Sequence, residues 1–209
     1  LNDEQRRAVE AGDGPVVIVA GPGTGKTKTL TARVAYLIES GRARPEQILA
    51  LTFTKKAAEE MKNRVAALAS GQPTITTFHS LCYELLGDET PFVSDAQRLQ
   101  IIKSLPRPNE LKSLSVRELA LVISRAKNQP EIKDEQLAKV VRAYNKALAE
   151  QGLRDFDDLL LGVYERLQNS KIFRDHVQGR SLYMLVDEFQ DTNLLQYEIL
   201  KLLLPNNNI

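Results

Sequence analysis

Apolar positions follow two regimes along the chain. Short apolar runs at 16–19, 48–51 and 181–186, and a strand-like Thr74-Ile75-Thr76, are each followed by a segment with helical periodicity. Runs of that length fit strands buried on both faces, and their alternation with helices predicts an α/β fold around a parallel sheet. From about residue 87 to 150 the pattern changes to helical spacing with no intervening strand. There Val116, Leu119, Ile123 and Ala126 recur on one face, while Pro106, Pro108 and Pro130 break the segments. This block reads as an all-helical insertion into the α/β domain.

Local signals set the helix ends. Asn2 or Asp3 can take the first free N–H groups of a helix running through Val9, and Ser40-Gly41 stops the helix that begins near Gly25. A third helix is expected from Lys56 to Ser70. Ser94-Asp95-Ala96-Gln97 and Ser115-Val116-Arg117-Glu118 have the form of capping boxes. A helix spans roughly Asp134 to Glu150, and Asp155-Phe156-Asp157-Asp158 opens another with acids at its positive end. Asp191 and Thr192 are the expected cap of the last helix.

The chemistry concentrates after the first apolar run. Ala20-Gly21-Pro22-Gly23-Thr24-Gly25-Lys26-Thr27 is a glycine-rich turn between a predicted strand and a helix, with Ala20 in place of the first glycine of the strict phosphate-loop pattern. Glycines at 21, 23 and 25 accept dihedrals that let backbone N–H groups converge on phosphate oxygens. Lys26 would reach the β and γ phosphates, Thr27 would bind Mg²⁺, and the helix dipole would face the anion. The run at 181–186 delivers Asp187-Glu188, where Asp187 can hold Mg²⁺ through its water shell and Glu188 can orient an attacking water. That pairing favours hydrolysis over transfer to another acceptor.

Two other strand ends carry Thr-Phe before a helix: Thr52-Phe53-Thr54 and Thr77-Phe78-His79. On the carboxyl edge of a parallel sheet they suit single-stranded nucleic acid, yet threonines also cap helices and phenylalanines fill cores. Gln5, ahead of the phosphate loop, has a donor and an acceptor for an adenine edge, or is simply a solvated polar residue.

Composition changes this picture little. The 209 residues carry a formal net charge of +1, so any nucleic-acid surface must come from local asymmetry. Residues 25–64 hold nine Lys or Arg against four Glu, whereas residues 150–209 hold six basic and ten acidic side chains. The single cysteine, Cys82, lies among leucines and reads as a core thiol, and neither His79 nor His176 has metal-ligand spacing. No apolar run is long enough to cross a bilayer, so a cytoplasmic, membrane-free enzyme is expected.

Taken in order, Leu1-Asn2-Asp3-Glu4-Gln5, the glycine turn, Leu51-Thr52-Phe53-Thr54-Lys55-Lys56-Ala57-Ala58, Thr77-Phe78-His79-Ser80 and Leu185-Val186-Asp187-Glu188-Phe189-Gln190-Asp191-Thr192 resemble the superfamily 1 DNA helicases of the UvrD, Rep and PcrA type. The resemblance implies a RecA-like P-loop NTPase domain, with a parallel sheet formed by residues 1–87 and 151–209 and a helical insertion subdomain at 88–150. It implies ATP and Mg²⁺ as cofactors, Gln5 as the adenine reader, and Gly21, Pro22, Gly23, Thr24, Gly25, Lys26, Thr27 and Lys28 at the nucleotide. Lys28 stands where many members have arginine. Thr52, Phe53, Thr54, Lys55, Thr77, Phe78 and His79 fall in its single-strand contact motifs, with Lys55 departing from the usual asparagine.

Family members continue into a strand with a sensor motif and a second RecA-like domain that supplies arginines to the γ-phosphate. The chain is therefore expected to be an N-terminal fragment of a 3′-5′ DNA helicase or translocase, very weakly active alone. Single-stranded DNA, and strand–duplex junctions in the intact enzyme, are its expected partners. A nucleotide- or DNA-binding module without catalysis is the alternative.

Overall fold

The computed structural model describes residues 1–21, 23–204 and 209. Ten helices and three strands are assigned among them: α1 (Asp3–Glu10), α2 (Lys26–Glu39), β1 (Ile48–Thr52), α3 (Lys55–Ala66), β2 (Thr74–Thr77), α4 (Phe78–Leu86), α5 (Asp95–Ser104), α6 (Val116–Lys127), α7 (Glu135–Glu150), α8 (Asp157–Asn169), α9 (Lys171–Gln178), β3 (Tyr183–Val186) and α10 (Leu194–Leu203). The chain divides into two compact units, one of residues 1–81, 166–192 and 200–209, the other of 82–165 and 193–199.

The first unit is built on a parallel sheet of order β2-β1-β3. Central β1 is buried along its whole length, as a strand covered on both faces must be. Thr52 lies beside Thr77 and Leu51 beside Val186, so the three carboxyl ends share one edge. Val34 and Leu37 of α2, Met61 and Val65 of α3, and Ile48, Ala50, Ile75 and Leu185 of the sheet form its core.

Residues 15–20 alternate between exposed and half-buried but carry no strand assignment, contrary to the reading of the first apolar run as a buried strand. Val17 is 83% and Val19 93% exposed. A strand needs a neighbour to take its hydrogen bonds. β3 pairs only with β1 among the described residues, and the Val16 N–H goes instead to the Ile209 carbonyl at 2.8 Å. The α9 helix was not anticipated. Asn193, rather than Asp191 or Thr192, caps α10 through reciprocal bonds with Gln196 at 2.9 and 3.0 Å.

The second unit is helical. Its core joins Ile101 and Ile102 of α5, Leu119 and Ile123 of α6, and Val140, Val141, Tyr144 and Leu148 of α7. Both expected capping boxes form, at Ser94 with Gln97 and at Ser115 with Glu118. Cys82 is buried, and burial pushes its thiol up to about 12.

The acids opening α8 have partners that spacing did not reveal. Lys127, at the end of α6, is 1% exposed and donates to Asp155 at 2.8 Å and Asp158 at 2.6 Å. Asn128 donates to Asp157 at 2.7 Å. Burial opposes ionisation of both Asp155 and Asp158. At Asp155 the Lys127 charge and hydrogen bonds outweigh it and hold the carboxyl below its usual range, whereas at Asp158 burial and the Asp155 charge prevail and raise it. Lys127→Met should lower unfolding free energy by about 3–5 kcal/mol, because two carboxylates lose their buried counter-ion. Adding Asp155→Asn and Asp158→Asn should restore much of the loss, both effects being read from urea unfolding curves.

Candidate nucleotide-binding and catalytic site

The glycine turn depends on backbone conformations that side chains disfavour. Gly23 and Gly25 have φ of +74° and +89°, and Gly25 stands immediately before α2. A Cβ on Gly25 would lie 3.1 Å from Gln5 Nε2, so glycine there serves both the dihedral and the close approach of α1. The Thr24 hydroxyl donates to the Gly21 carbonyl at 2.7 Å and closes the loop on itself. No side chain caps α2 at Gly25, which leaves its first N–H groups to whatever anion enters the loop. The Lys26 ammonium folds back to the carbonyls of Ala20 and Gly21 at 3.4 and 3.5 Å, bonds long enough to be exchanged readily for a charged acceptor. Lys28 is exposed. Pro22 lies outside the described residues.

Gln5 reaches this loop. Asn2 caps α1 by accepting from the Gln5 N–H at 2.8 Å, and Gln5 Oε1 accepts from the Asn2 N–H at 3.0 Å. The same side chain donates from Nε2 to the Thr24 carbonyl at 2.9 Å. One amide thus joins the capping box of α1 to the phosphate-loop backbone.

The acidic pair arrives from β3. The Asp187 N–H donates to the Leu51 carbonyl at 2.8 Å, continuing the β1–β3 ladder, and its Oδ2 accepts from the Thr27 hydroxyl at 3.3 Å. Glu188, with φ of 49°, is the one non-glycine in the left-handed region among the described residues. Such a conformation costs on the order of 1–3 kcal/mol and turns the chain sharply after the strand. Its N–H donates to Asp187 Oδ1 at 3.1 Å, and Gln190 Nε2 donates to its carboxylate.

Among the described residues no group of three or more His, Cys, Asp or Glu could hold a metal. The Thr27 hydroxyl and Asp187 carboxylate supply two oxygens already in contact. That donor set fits Mg²⁺, which keeps most of its water and takes one or two protein oxygens alongside substrate phosphates.

The other strand ends separate by burial. Phe53 is 62% exposed beyond β1, and Lys55 is exposed at the start of α3. Thr54 caps α3 by accepting from the Ala57 N–H at 3.1 Å. Thr52 is buried and donates to the Thr54 carbonyl at 3.0 Å. Thr77 is buried with its hydroxyl engaged by Ser80, Phe78 is a core ring, and His79 is half-buried. Of the two Thr-Phe pairs, only the first offers a ring to solvent.

The sequence matches the family model for the UvrD/REP helicase N-terminal domain over residues 1–127 and 97–209. The chain belongs to this family. It is 36% identical to a probable DNA helicase II homolog of Mycoplasma capricolum subsp. capricolum, the match covering all of the chain and 33% of that protein. It is 35% identical to the ATP-dependent DNA helicase PcrA of Staphylococcus aureus over 97% of the chain and 31% of the relative, and as similar to PcrA of Staphylococcus epidermidis. The chain thus spans about a third of the length of these curated relatives.

In this UvrD/REP domain, Arg33, like Lys127, is a buried cation that the motifs did not single out. Arg33 lies on the inward face of α2, four residues from Thr29 and four from Leu37, and all three are buried. A charged residue at an inward position of a helix was the available signal.

Asp187 carries a cost at neutral pH. Burial, then the neighbouring Glu188 charge, raise its pKa, against the bonds from Thr27 and the Glu188 N–H and the charge of Lys26. With the folded value above the unfolded one, its favourable contribution is fully present below the unfolded pKa and is lost as pH rises through the raised value. Asp187→Asn should therefore raise the urea midpoint of the ligand-free chain at pH 7.5. The gap to wild type should shrink as pH falls from that raised value towards the ordinary aspartate value of about 3.9.

Proposed function

We propose that the chain is the ATP-binding, N-terminal part of an ATP-dependent 3′-5′ DNA helicase or translocase that tracks single-stranded DNA in the cytoplasm. The observation that carries this reading is the contact of Thr27 with Asp187, which brings the end of the glycine loop onto the acidic pair. In this reading residues 1–87 and 151–209 are the RecA-like domain, and 88–150 the helical insertion.

The backbone N–H groups of the loop and of the start of α2 bind the β and γ phosphates, and Lys26 leaves its loop carbonyls to neutralise the γ oxygens. Gln5 turns its remaining N–H and oxygen lone pair to the adenine edge. Thr27 and Asp187 would hold Mg²⁺, which when bound supplies charge neutralisation across the β and γ phosphates. Glu188 orients a water for in-line attack and receives its proton as the bond to the ADP oxygen breaks. Exposed Phe53 stacks a base at the carboxyl edge of the sheet, with Lys55 near the backbone phosphates. Thr52, Thr54 and Thr77 shape that edge through their caps and turns, and Phe78 and His79 support it.

A second RecA-like domain of the intact protein completes the site with arginines, and strand–duplex junctions are the intact enzyme's substrate. An arginine finger is worth about 10³ to 10⁵ in rate, so turnover by these residues alone should be very slow. Calorimetry with ATP and Mg²⁺ should show binding that Lys26→Ala weakens on the order of 10- to 100-fold. Glu188→Gln should keep binding and lower the residual turnover about 10²- to 10⁴-fold. Binding with no Glu188-dependent turnover, even with the second domain present, would leave a binding module. Rapid DNA-stimulated turnover by the 209-residue chain would overturn the need for a second domain.

A further inference from the structure

The Arg33 guanidinium makes an unusual set of contacts. Nη1 donates to the carbonyls of Ala8 at 3.2 Å, Val9 at 3.1 Å and Ala11 at 3.0 Å, and Nη2 donates to Gly12 at 3.3 Å. All four acceptors are main-chain oxygens at or just beyond the C-terminal end of α1. The carbonyls of Ala8 and Val9 are among those a helix leaves unpaired in its last turn, at the end towards which its dipole attracts a cation. Burial opposes the charge of this guanidinium, with a smaller opposing effect from Arg42 and a supporting one from Asp13. Asp13 in turn accepts from the Tyr183 hydroxyl and lies 3.9 Å from Arg42.

α1 needs such an anchor. It has eight residues, fewer than a helix requires to persist alone in water, and Val9 is its one buried residue. Its position relative to the phosphate loop is therefore set by tertiary contacts at its two ends. At the N-terminal end the contact is the Gln5 amide on Thr24; at the C-terminal end it is Arg33. Arg33 belongs to α2, the helix that starts at Lys26.

We infer that Arg33 is the positioning residue for Gln5: it clamps the carbonyl end of α1 onto the phosphate-loop helix, so that the base-reading amide and the phosphate-binding loop form one rigid body. This rests on the assignment of Gln5 to the adenine. Arg33 does not touch the nucleotide. Its effect is on base selectivity, while affinity for the phosphates belongs to the loop itself. Lysine cannot replace it fully, because one ammonium cannot span four carbonyls as the planar fork does.

The test uses the 209-residue chain with Arg33→Met, Arg33→Lys and Gln5→Ala. In nucleotide-free hydrogen exchange, Arg33→Met should speed the amides of α1 about tenfold or more and leave those of β1 and α7 unchanged. In binding assays with ATP, GTP and inorganic tripolyphosphate, Gln5→Ala and Arg33→Met should lower the ATP-to-GTP preference by a similar factor, about tenfold, with tripolyphosphate affinity held within about twofold of wild type. Arg33→Lys should fall between, and the double variant Gln5→Ala with Arg33→Met should lose no more than either single change. Unchanged exchange in α1, or exchange accelerated throughout the unit, would overturn the inference. So would equal losses for tripolyphosphate and ATP, or a preference kept by Arg33→Met but lost by Gln5→Ala. A preference kept by Gln5→Ala would instead remove the adenine assignment and with it the residue that Arg33 is said to position.

Discussion

Parallel pairing on both sides of β1 is the constraint from which the site follows. Because β2 and β3 run in the same direction as β1, Thr52, Thr77 and Val186 end at one edge. The Leu51 carbonyl then takes the Asp187 N–H, so the acidic pair is in register with β1 before any side chain is considered. α2 packs Val34 and Leu37 into the core shared with the sheet, which lets Thr27 meet Asp187. Burial of apolar surface on the helix thus sets a polar contact at its first turn. Each fully buried leucine contributes about 1.5–3 kcal/mol to that placement.

Against that apolar support, the site holds its polar groups in costly states. Asp187 is partly desolvated beside another carboxylate, Glu188 sits in a left-handed conformation, and Lys26 makes long bonds to carbonyls. Costly states gathered at one place are the pattern expected where function opposes stability. The Lys127, Asp155 and Asp158 cluster of the helical unit is different. There one ammonium pairs with two carboxylates at 2.8 and 2.6 Å, joining the end of α6 to the start of α8. Arg33 resembles Lys127 in burial but differs in partners, since neutral carbonyls spread over residues 8–12 grip a segment rather than neutralise a charge.

The amino-acid order alone determined features whose causes lie within a few residues. The left-handed Gly23 and Gly25 of the loop, a cap at Asn2, the capping boxes at Ser94 and Ser115, the stop at Ser40-Gly41 and the buried runs of β1 and β3 were all legible, because dihedral preference and periodicity are local. Tertiary structure decided matters that depend on a distant partner. The apolar run at 16–19 has strand composition, yet a strand exists only where a ladder of hydrogen bonds forms, and among the described residues none is assigned there, with Val17 and Val19 facing solvent. Phe53 and Phe78 stand in the same Thr-Phe context, and only packing made one a solvent-facing ring and the other core. Arg33 and Lys127 looked like ordinary helix cations until their acceptors, more than twenty residues away, were in place. Burial and hydrogen bonding between segments far apart in the chain have no local signature, which is why the motifs could be read from the sequence and the arrangement around them could not.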